Sequence, residues 1–129
     1  MARILIADDY DAARRAIRRL VGEYPGWEVC GEAVDGPAAV RKTVELKPDL
    51  VILDLEMGTI DGLTAAREIS AAMPCLPIVL CTVFATDALE RKSRESGVRA
   101  VVNKNEAGSK LVSVIEDLLK REFKGISGG

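Results

Sequence analysis

Five short apolar runs, separated by stretches with helical periodicity, constrain the fold of this chain more than any other feature. Two of them, residues 50–53 and 78–81, are continuously apolar, as expected of strands buried on both faces. The other three runs cover residues 3–7, 27–33 and 100–102. Strands that alternate with helices predict an α/β fold, an open parallel sheet with five helices on both faces.

The second run helps to order the strands. Residues 27–33 alternate apolar and polar side chains, which is typical of a half-covered strand at the edge of a sheet. With right-handed crossovers, this favours the flavodoxin-like strand order 2-1-3-4-5. In such sheets function lies at the carboxyl ends of the strands, near the point between strands one and three where the order reverses.

The helical stretches differ in how much apolar surface they offer to a core. The last one, from about Gly108, carries a continuous apolar stripe, whereas the fourth, residues 86–96, offers only Ala88 and Leu89. We therefore expect the fourth helix to be loosely held. The predicted domain covers residues 1–122, and the Gly-rich residues 123–129 are predicted to be a flexible tail or the start of a linker.

Composition excludes several classes of function. With 18 basic and 20 acidic residues in a chain of 129, the net charge of −2 gives no basic footprint for nucleic acid or an anionic membrane. The chain has no histidine, which removes histidine-based triads and zinc sites. Cys30, Cys75 and Cys81 form no C-x-x-C pair and are expected to be buried, reduced thiols. The N-terminus has no signal-peptide pattern, and we expect a cytoplasmic location without membrane contact.

Polar residues with a common chemistry follow the predicted strands. Asp8 and Asp9 follow the first and Asp54 the third, while Thr82 and Lys104 follow the fourth and fifth. Because strands one and three are neighbours in the predicted order, three carboxylates meet at one rim and repel each other unless a cation binds. An all-oxygen ligand set suits Mg²⁺.

Four segments of the chain resemble those of response-regulator receiver domains, the phosphorylation switches of two-component systems. They are ILIADDY, PDLVILDLEMGTIDGL, IVLCT and GVRAVVNKNEA, in the family's order and spacing from about Arg3 to Leu119. The segment GWEVCGEAVDG is most similar to receivers of LuxR/NarL-type regulators.

The resemblance implies a role for each of these residues. It makes Asp54 the phosphoacceptor, which takes a phosphoryl group from a sensor histidine kinase or a phosphotransfer protein. Asp9, Asp54 and the main-chain carbonyl of Glu56 would hold Mg²⁺ directly, and Asp8 would hold it through water. Thr82 would sense the phosphoryl group, and Lys104 would pair with it.

The resemblance also extends to partners. Receivers dock the kinase on the first helix, where Arg14, Arg15, Arg18 and Arg19 form a basic face, although a merely solvated face explains that pattern equally well. Arg14, Arg15 and Arg18 are the candidate docking residues. A phosphorylation-dependent homodimer and a fused DNA-binding output domain are further expectations. Any catalysis would be confined to the chain's own phosphorylation and dephosphorylation.

The sequence departs from the family at four positions. Gly58 stands where proline is usual, which should loosen the loop after Asp54. Val83 follows Thr82, at a position where the family usually has alanine or glycine, and Phe84 comes next. The side chains of both residues should narrow access to the site. Val101 replaces the usual switch aromatic, so the signal must be carried by another element, and we expect the face formed by residues 83–104 to change.

Three other functions compete with phosphoryl acceptance. A flavin-binding protein of the same fold would need phosphate donors in the first loop, where Asp8, Asp9 and Asp11 would repel a phosphate. A phosphatase of the haloacid-dehalogenase type needs a D-x-D arrangement, but Asp8 and Asp9 are adjacent. A degenerate receiver that acts only as a protein-interaction module is the strongest alternative, and the presence of all five site residues argues against it.

Overall fold

The structure, a computed structural model, describes the backbone of residues 1–127 and the side chains through Lys120. The strands are β1 (Ala2–Ala7), β2 (Trp27–Ala33), β3 (Leu50–Leu53), β4 (Ile78–Thr82) and β5 (Ala100–Asn103). The helices are α1 (Asp11–Gly22), α2 (Gly36–Leu46), α3 (Gly62–Ala72), α4 (Asp87–Glu95) and α5 (Ala107–Ser127), with a short 3₁₀ helix at Lys104–Glu106.

The sheet confirms the predicted topology. Its order is β2-β1-β3-β4-β5, and every neighbouring pair is parallel. β2 lies at the edge, as its alternating pattern predicts, and its register against β1 shifts between Ile4 and Leu5. β1 and β3 are adjacent and pair from Ile4↔Leu50 to Ala7↔Leu53, so the residues that follow both strands emerge side by side.

Alternate residues of the central strands supply two separate cores, one on each face of the sheet. Leu5 packs in the core that includes α2 and α3, whereas its neighbour Ile6 packs in the core that includes α1 and α5. Both side chains are fully buried, as are those of β3. Burial on both faces explains why these strands are continuously apolar, and it gives the rim a rigid base.

The fourth helix is anchored differently from the prediction. Ala88 is exposed, so its predicted place in the core is wrong, while Leu89 is partly buried and packs against the α2–α3 core. Ser93 is buried instead, and its hydroxyl has no hydrogen-bond partner among the described residues. One leucine and one serine are weak anchors, which agrees with a loosely held α4.

The cysteines are not uniformly buried. Cys81 is buried on β4, where desolvation raises the pKa of its thiol to about 11. Cys30 is only partly buried and Cys75 is exposed, so the expectation of burial is wrong for Cys75. Cys75 lies beyond the end of α3, between Pro74 and Leu76, where no helix covers it.

The C-terminal helix runs past the predicted domain boundary. The backbone of α5 continues to Ser127, and residues 128–129 lie outside the described part. The boundary at residue 122 and the tail at 123–129 stay predictions. Within the described residues, the helices lack the combined length and apolarity that crossing a membrane requires.

Gly62 allows the start of α3 to approach the end of β3. Its N–H donates to the Leu55 carbonyl oxygen at 2.7 Å. A Cβ at this position would lie 2.2 Å from the Asp54 carbonyl oxygen, which is far inside van der Waals contact. Asp61 caps the helix by accepting from the Thr64 N–H at 2.8 Å. The loop after Asp54 is therefore closed by a contact that only glycine permits.

Gly62→Ala should destabilise the fold by about 1–3 kcal/mol, because the new methyl group must displace backbone atoms. Gly108→Ala is the matched control, since a Cβ there meets nothing within 4 Å. In the first turn of α5 that control should be neutral or stabilising by up to about 1 kcal/mol. Urea denaturation monitored by circular dichroism measures both changes, and equal stability of Gly62→Ala and wild type would contradict the close approach.

Candidate functional site

Three carboxylates meet at the carboxyl rim of the sheet. Asp8 and Asp9 directly follow β1, and Asp54 directly follows β3. One carboxylate oxygen from each lies within 4.8 Å of the other two. Asp8 is buried, Asp54 is 7% exposed, and Asp9 is exposed to solvent. The predicted convergence of these three residues is confirmed.

Asp54 is a buried carboxylate that directly follows the central strand β3. Its N–H donates to the Ala7 carbonyl oxygen at 3.0 Å, which extends the β1–β3 ladder by one bond. Burial, and then repulsion by Asp8, raises the pKa of the Asp54 carboxyl, and Lys104 and the Leu55 N–H only partly offset this. The folded chain therefore holds a negative charge here at a cost in free energy.

The ammonium group of Lys104 lies among these carboxylates. It follows β5, and its Nζ lies 2.6 Å from Asp8 Oδ2 and 3.2 Å from Asp54 Oδ1. Burial lowers the pKa of its ammonium, but the two carboxylates outweigh burial and leave that pKa above its ordinary value. One ammonium beside three carboxylates leaves two negative charges unbalanced when all three are ionised.

The donor set fits a hard divalent cation. The rim offers carboxylate oxygens on neighbouring strands, and it excludes histidine because the chain has none. The exposed Asp9 and the loop after Asp54 leave ligand positions open to water, which Mg²⁺ keeps readily. Glu56 is exposed in that loop, two residues after Asp54, and its predicted role as a carbonyl ligand stays a prediction.

Thr82 ends β4, the strand next to β3, and is buried. Its Oγ1 accepts a hydrogen bond from the Phe84 N–H at 3.2 Å, which leaves the hydroxyl proton free to donate elsewhere. This bond ties Thr82 to the chain segment that leads into α4. A shift of the threonine side chain would therefore move the loop with it.

The structure shows the surroundings of the four residues that differ from the pattern of receiver domains. Gly58 has a φ of 82°, a conformation closed to proline, whose ring fixes φ near −65°. Phe84 is 52% exposed, and Val83 is similarly exposed. Their predicted narrowing of the site stays a prediction. Val101 is partly buried and packs against the same core as Leu89, so β5 and α4 share an apolar contact region.

The basic face of α1 separates into two kinds of arginine. Arg15 and Arg19 are exposed and have no ion pair in the described part of the chain. Arg18 pairs with Glu32 of β2, and Arg14 turns inward to Asp11, Glu32 and the Asp8 carbonyl oxygen. Glu32 was not predicted from the sequence, although it lies near the carboxyl end of β2 and the strand-end rule places it at the rim.

Comparison with known proteins points to one family. A family model described as response regulator receiver domain matches residues 4–116. Response regulator GacA of Pseudomonas viridiflava is 32% identical over 115 residues, which cover 89% of this chain and 54% of the relative. A protein-glutamate methylesterase/protein-glutamine glutaminase of Geobacter sulfurreducens is 34% identical over 124 residues, covering 96% of this chain and 33% of the relative.

A solved structure agrees in fold and sequence. The crystal structure of a LuxR-family two-component response regulator from Aurantimonas sp. SI85-9A1 superposes with a TM-score of 0.89 at 33% identity, and the match covers 93% of this chain and 86% of that one. The chain spans about half or less of the length of the curated relatives described above. The similarity therefore concerns one domain that those two relatives share, not their whole activities.

The charge balance of the rim predicts that Mg²⁺ changes the effect of Asp54→Asn on stability. In metal-free buffer near neutral pH the variant should be more stable than wild type, by on the order of 1 kcal/mol, because a raised pKa marks an unfavourable charge. The difference should shrink as the pH falls below that raised pKa, since the wild-type side chain is then also neutral. Millimolar Mg²⁺ should raise the wild-type melting temperature more than that of the variant.

Glu68→Gln is the control for this comparison, because it removes one negative charge from an exposed position on α3. It should keep the wild-type response to Mg²⁺. Thermal melts of wild type, Asp54→Asn and Glu68→Gln, each in chelator and in Mg²⁺, measure these effects. Identical Mg²⁺ responses of wild type and Asp54→Asn would contradict a metal site that includes Asp54.

Proposed function

This chain belongs to the response regulator receiver domain family, and on that basis we propose that it accepts a phosphoryl group on Asp54 in two-component signalling. The observation that carries the proposal is the contact of Lys104 Nζ with both Asp8 and Asp54, 2.6 and 3.2 Å away, beside a cluster of three carboxylates. A degenerate receiver would have no need to hold this uncompensated charge.

The proposed reaction is a displacement at phosphorus. A carboxylate oxygen of Asp54 attacks the phosphorus of a phosphohistidine on the donor protein, a P–O bond forms, and the P–N bond breaks. The imidazole leaves with the electron pair of the P–N bond. Lys104 is placed to pair with an oxygen of the transferred group, and the Thr82 hydroxyl has a proton to donate to another.

Receiver domains generally use Mg²⁺, and the acidic cluster fits it. We propose that Asp9, Asp54 and the Glu56 carbonyl hold the ion directly, with Asp8 acting through water. When bound, the ion supplies positive charge to the phosphoryl oxygens. Lys104 by itself cannot balance three carboxylates together with an incoming phosphoryl group.

The partners follow from the same proposal. The donor is a sensor histidine kinase or a phosphotransfer protein, and the exposed Arg15 and the half-exposed Arg18 of α1 are available to contact it. The relatives that share this domain differ in name and length, so the output domain, including a DNA-binding one, is not fixed by the domain itself. A phosphorylation-dependent homodimer and a cytoplasmic location complete the proposal.

The signal is proposed to leave the site through the loop before α4. The Thr82 hydroxyl is bonded to the Phe84 N–H at 3.2 Å, and α4 is anchored chiefly by Leu89 and Ser93. A loosely packed helix is the kind of element whose position one new hydrogen bond of about 1 kcal/mol can bias. The face formed by residues 83–104 then changes without rotation of an aromatic side chain at Val101.

Incubation with Mg²⁺ and a phosphohistidine donor should add one base-labile, acid-stable acyl phosphate to the wild-type chain. Asp54→Asn should abolish the label, because the amide is a poor nucleophile, and Glu68→Gln should retain it. Phosphate-affinity electrophoresis and intact-protein mass spectrometry measure the yield. Unchanged labelling of Asp54→Asn would make the acceptor assignment wrong, and no labelling of wild type with any donor would favour the degenerate receiver.

Hydrogen exchange with and without Mg²⁺ and beryllofluoride, a phosphoryl mimic, should locate the switch. Protection should change in residues 83–96 and stay nearly constant in β1, β2 and β3, because those strands are held by the two cores. Thr82→Ala should reduce the change, since it removes the bond to the Phe84 N–H. Altered protection confined to segments outside residues 83–104 would contradict this route.

A further inference from the structure

The guanidinium of Arg14 reaches the backbone between the two aspartates that follow β1. Its Nη1 donates to the Asp8 carbonyl oxygen at 2.8 Å. That carbonyl belongs to the planar peptide that joins Asp8 to Asp9, so its direction fixes the orientation of the Asp9 backbone. From this contact we infer that Arg14 is a positioning residue for metal binding at the rim, and not a kinase-docking residue. The inference rests on the proposed function.

The three nitrogens of this side chain have separate acceptors. Besides Nη1, the Nε donates to Glu32 Oε1 at 3.2 Å, and Nη2 pairs with Asp11. A planar guanidinium with three occupied directions has little freedom to rotate. Glu32 belongs to β2 and Asp11 to α1, so Arg14 links both elements to the end of β1.

Asp9 depends on this link more than its neighbours do. Asp8 is held by its own N–H to the Ala33 carbonyl oxygen, by the Tyr10 N–H on Oδ1 and by Lys104 on Oδ2. The Asp9 side chain is exposed and makes no hydrogen bond or ion pair in the described part of the chain. With Arg14 removed, this peptide keeps only the turn closed by the Tyr10 N–H on Asp8 Oδ1, and the Asp9 carboxylate is held less firmly in direction.

Exposure separates Arg14 from the other basic residues of α1. Its side chain is 14% exposed, whereas Arg15 and Arg19 are exposed to solvent and lack ion pairs among residues 1–120. A docking arginine must present its guanidinium to a partner. Each of the three nitrogens of the Arg14 guanidinium is instead bonded within the chain.

The test measures metal affinity apart from phosphotransfer. Arg14→Met keeps the apolar stem and removes the donors, and Arg19→Met on the same helix is the charge-matched control. Mn²⁺ serves as the probe, with free Mn²⁺ counted by electron paramagnetic resonance. Arg14→Met should raise the Mn²⁺ dissociation constant on the order of tenfold, the usual effect of losing an outer-shell contact, and Arg19→Met should leave it unchanged.

Two milder variants keep the inference testable if Arg14→Met folds poorly. Arg14→Lys retains one donor for the Asp8 carbonyl oxygen and should recover part of the Mn²⁺ affinity. Glu32→Gln weakens the partner that orients Arg14 and should reduce the Mn²⁺ affinity a few-fold. Phosphoryl uptake from acetyl phosphate should slow in Arg14→Met at low Mg²⁺ and approach the wild-type rate at saturating Mg²⁺, because positioning acts through metal occupancy.

Each result has a distinct meaning. Wild-type Mn²⁺ affinity in Arg14→Met, with slowing only when a kinase is the donor, would overturn the inference in favour of docking. A lower melting temperature with unchanged affinity in Arg14→Lys and Glu32→Gln would overturn it in favour of a structural role. A wild-type chain that neither binds Mn²⁺ nor takes up a phosphoryl group would overturn the proposed function itself.

Discussion

The concentration of negative charge at one end of the sheet is the constraint on which the rest of the site depends. Parallel pairing of β1 with β3 forces Asp8 and Asp54 to emerge side by side, and both are buried. Lys104 crosses from the end of β5 to contact both of them. The fold tolerates the charge that remains because the two apolar cores on either face of the sheet stabilise it. An acidic site of this kind favours the binding of a cation, which would in turn allow a negatively charged phosphoryl group to enter.

The same arrangement separates a rigid part of the molecule from a soft one. The proposed acceptor, Asp54, directly follows β3, which is buried on both faces, and Arg14 donates to the Asp8 carbonyl oxygen. On the other side, Thr82 is bonded to the loop that enters α4, a helix with one partly buried leucine against the core. The proposed reaction would therefore act on a firmly held carboxylate, Asp54, and a more mobile neighbour, Thr82, as a switch requires.

The sequence predicts the sheet order and the convergence of the site because both follow from rules about strands. Continuous apolar runs mark the central strands, and the carboxyl ends of parallel strands share one edge, so Asp8, Asp9, Asp54 and Lys104 could be placed together. The contacts of Arg14 could not be predicted, since helical periodicity gives the face of a residue and not the rotamer that turns it inward. The exposure of Ala88 and the burial of Ser93 could not be predicted for a similar reason: α4 has too few apolar residues to fix its rotation by periodicity.

We propose that Lys104 pairs with Asp8 and Asp54 only until a metal ion and a phosphoryl group enter the site. A crystal structure of the chain with Mg²⁺ and beryllofluoride tests it most directly. We expect the ion on Asp9 and Asp54, the beryllium bonded to a carboxylate oxygen of Asp54, and Lys104 Nζ paired with a fluorine while Thr82 turns toward another. A beryllofluoride adduct on another residue would contradict this role of Lys104 and Asp54. So would a structure in which Lys104 still contacts Asp8 and Asp54 and no ion lies beside Asp9.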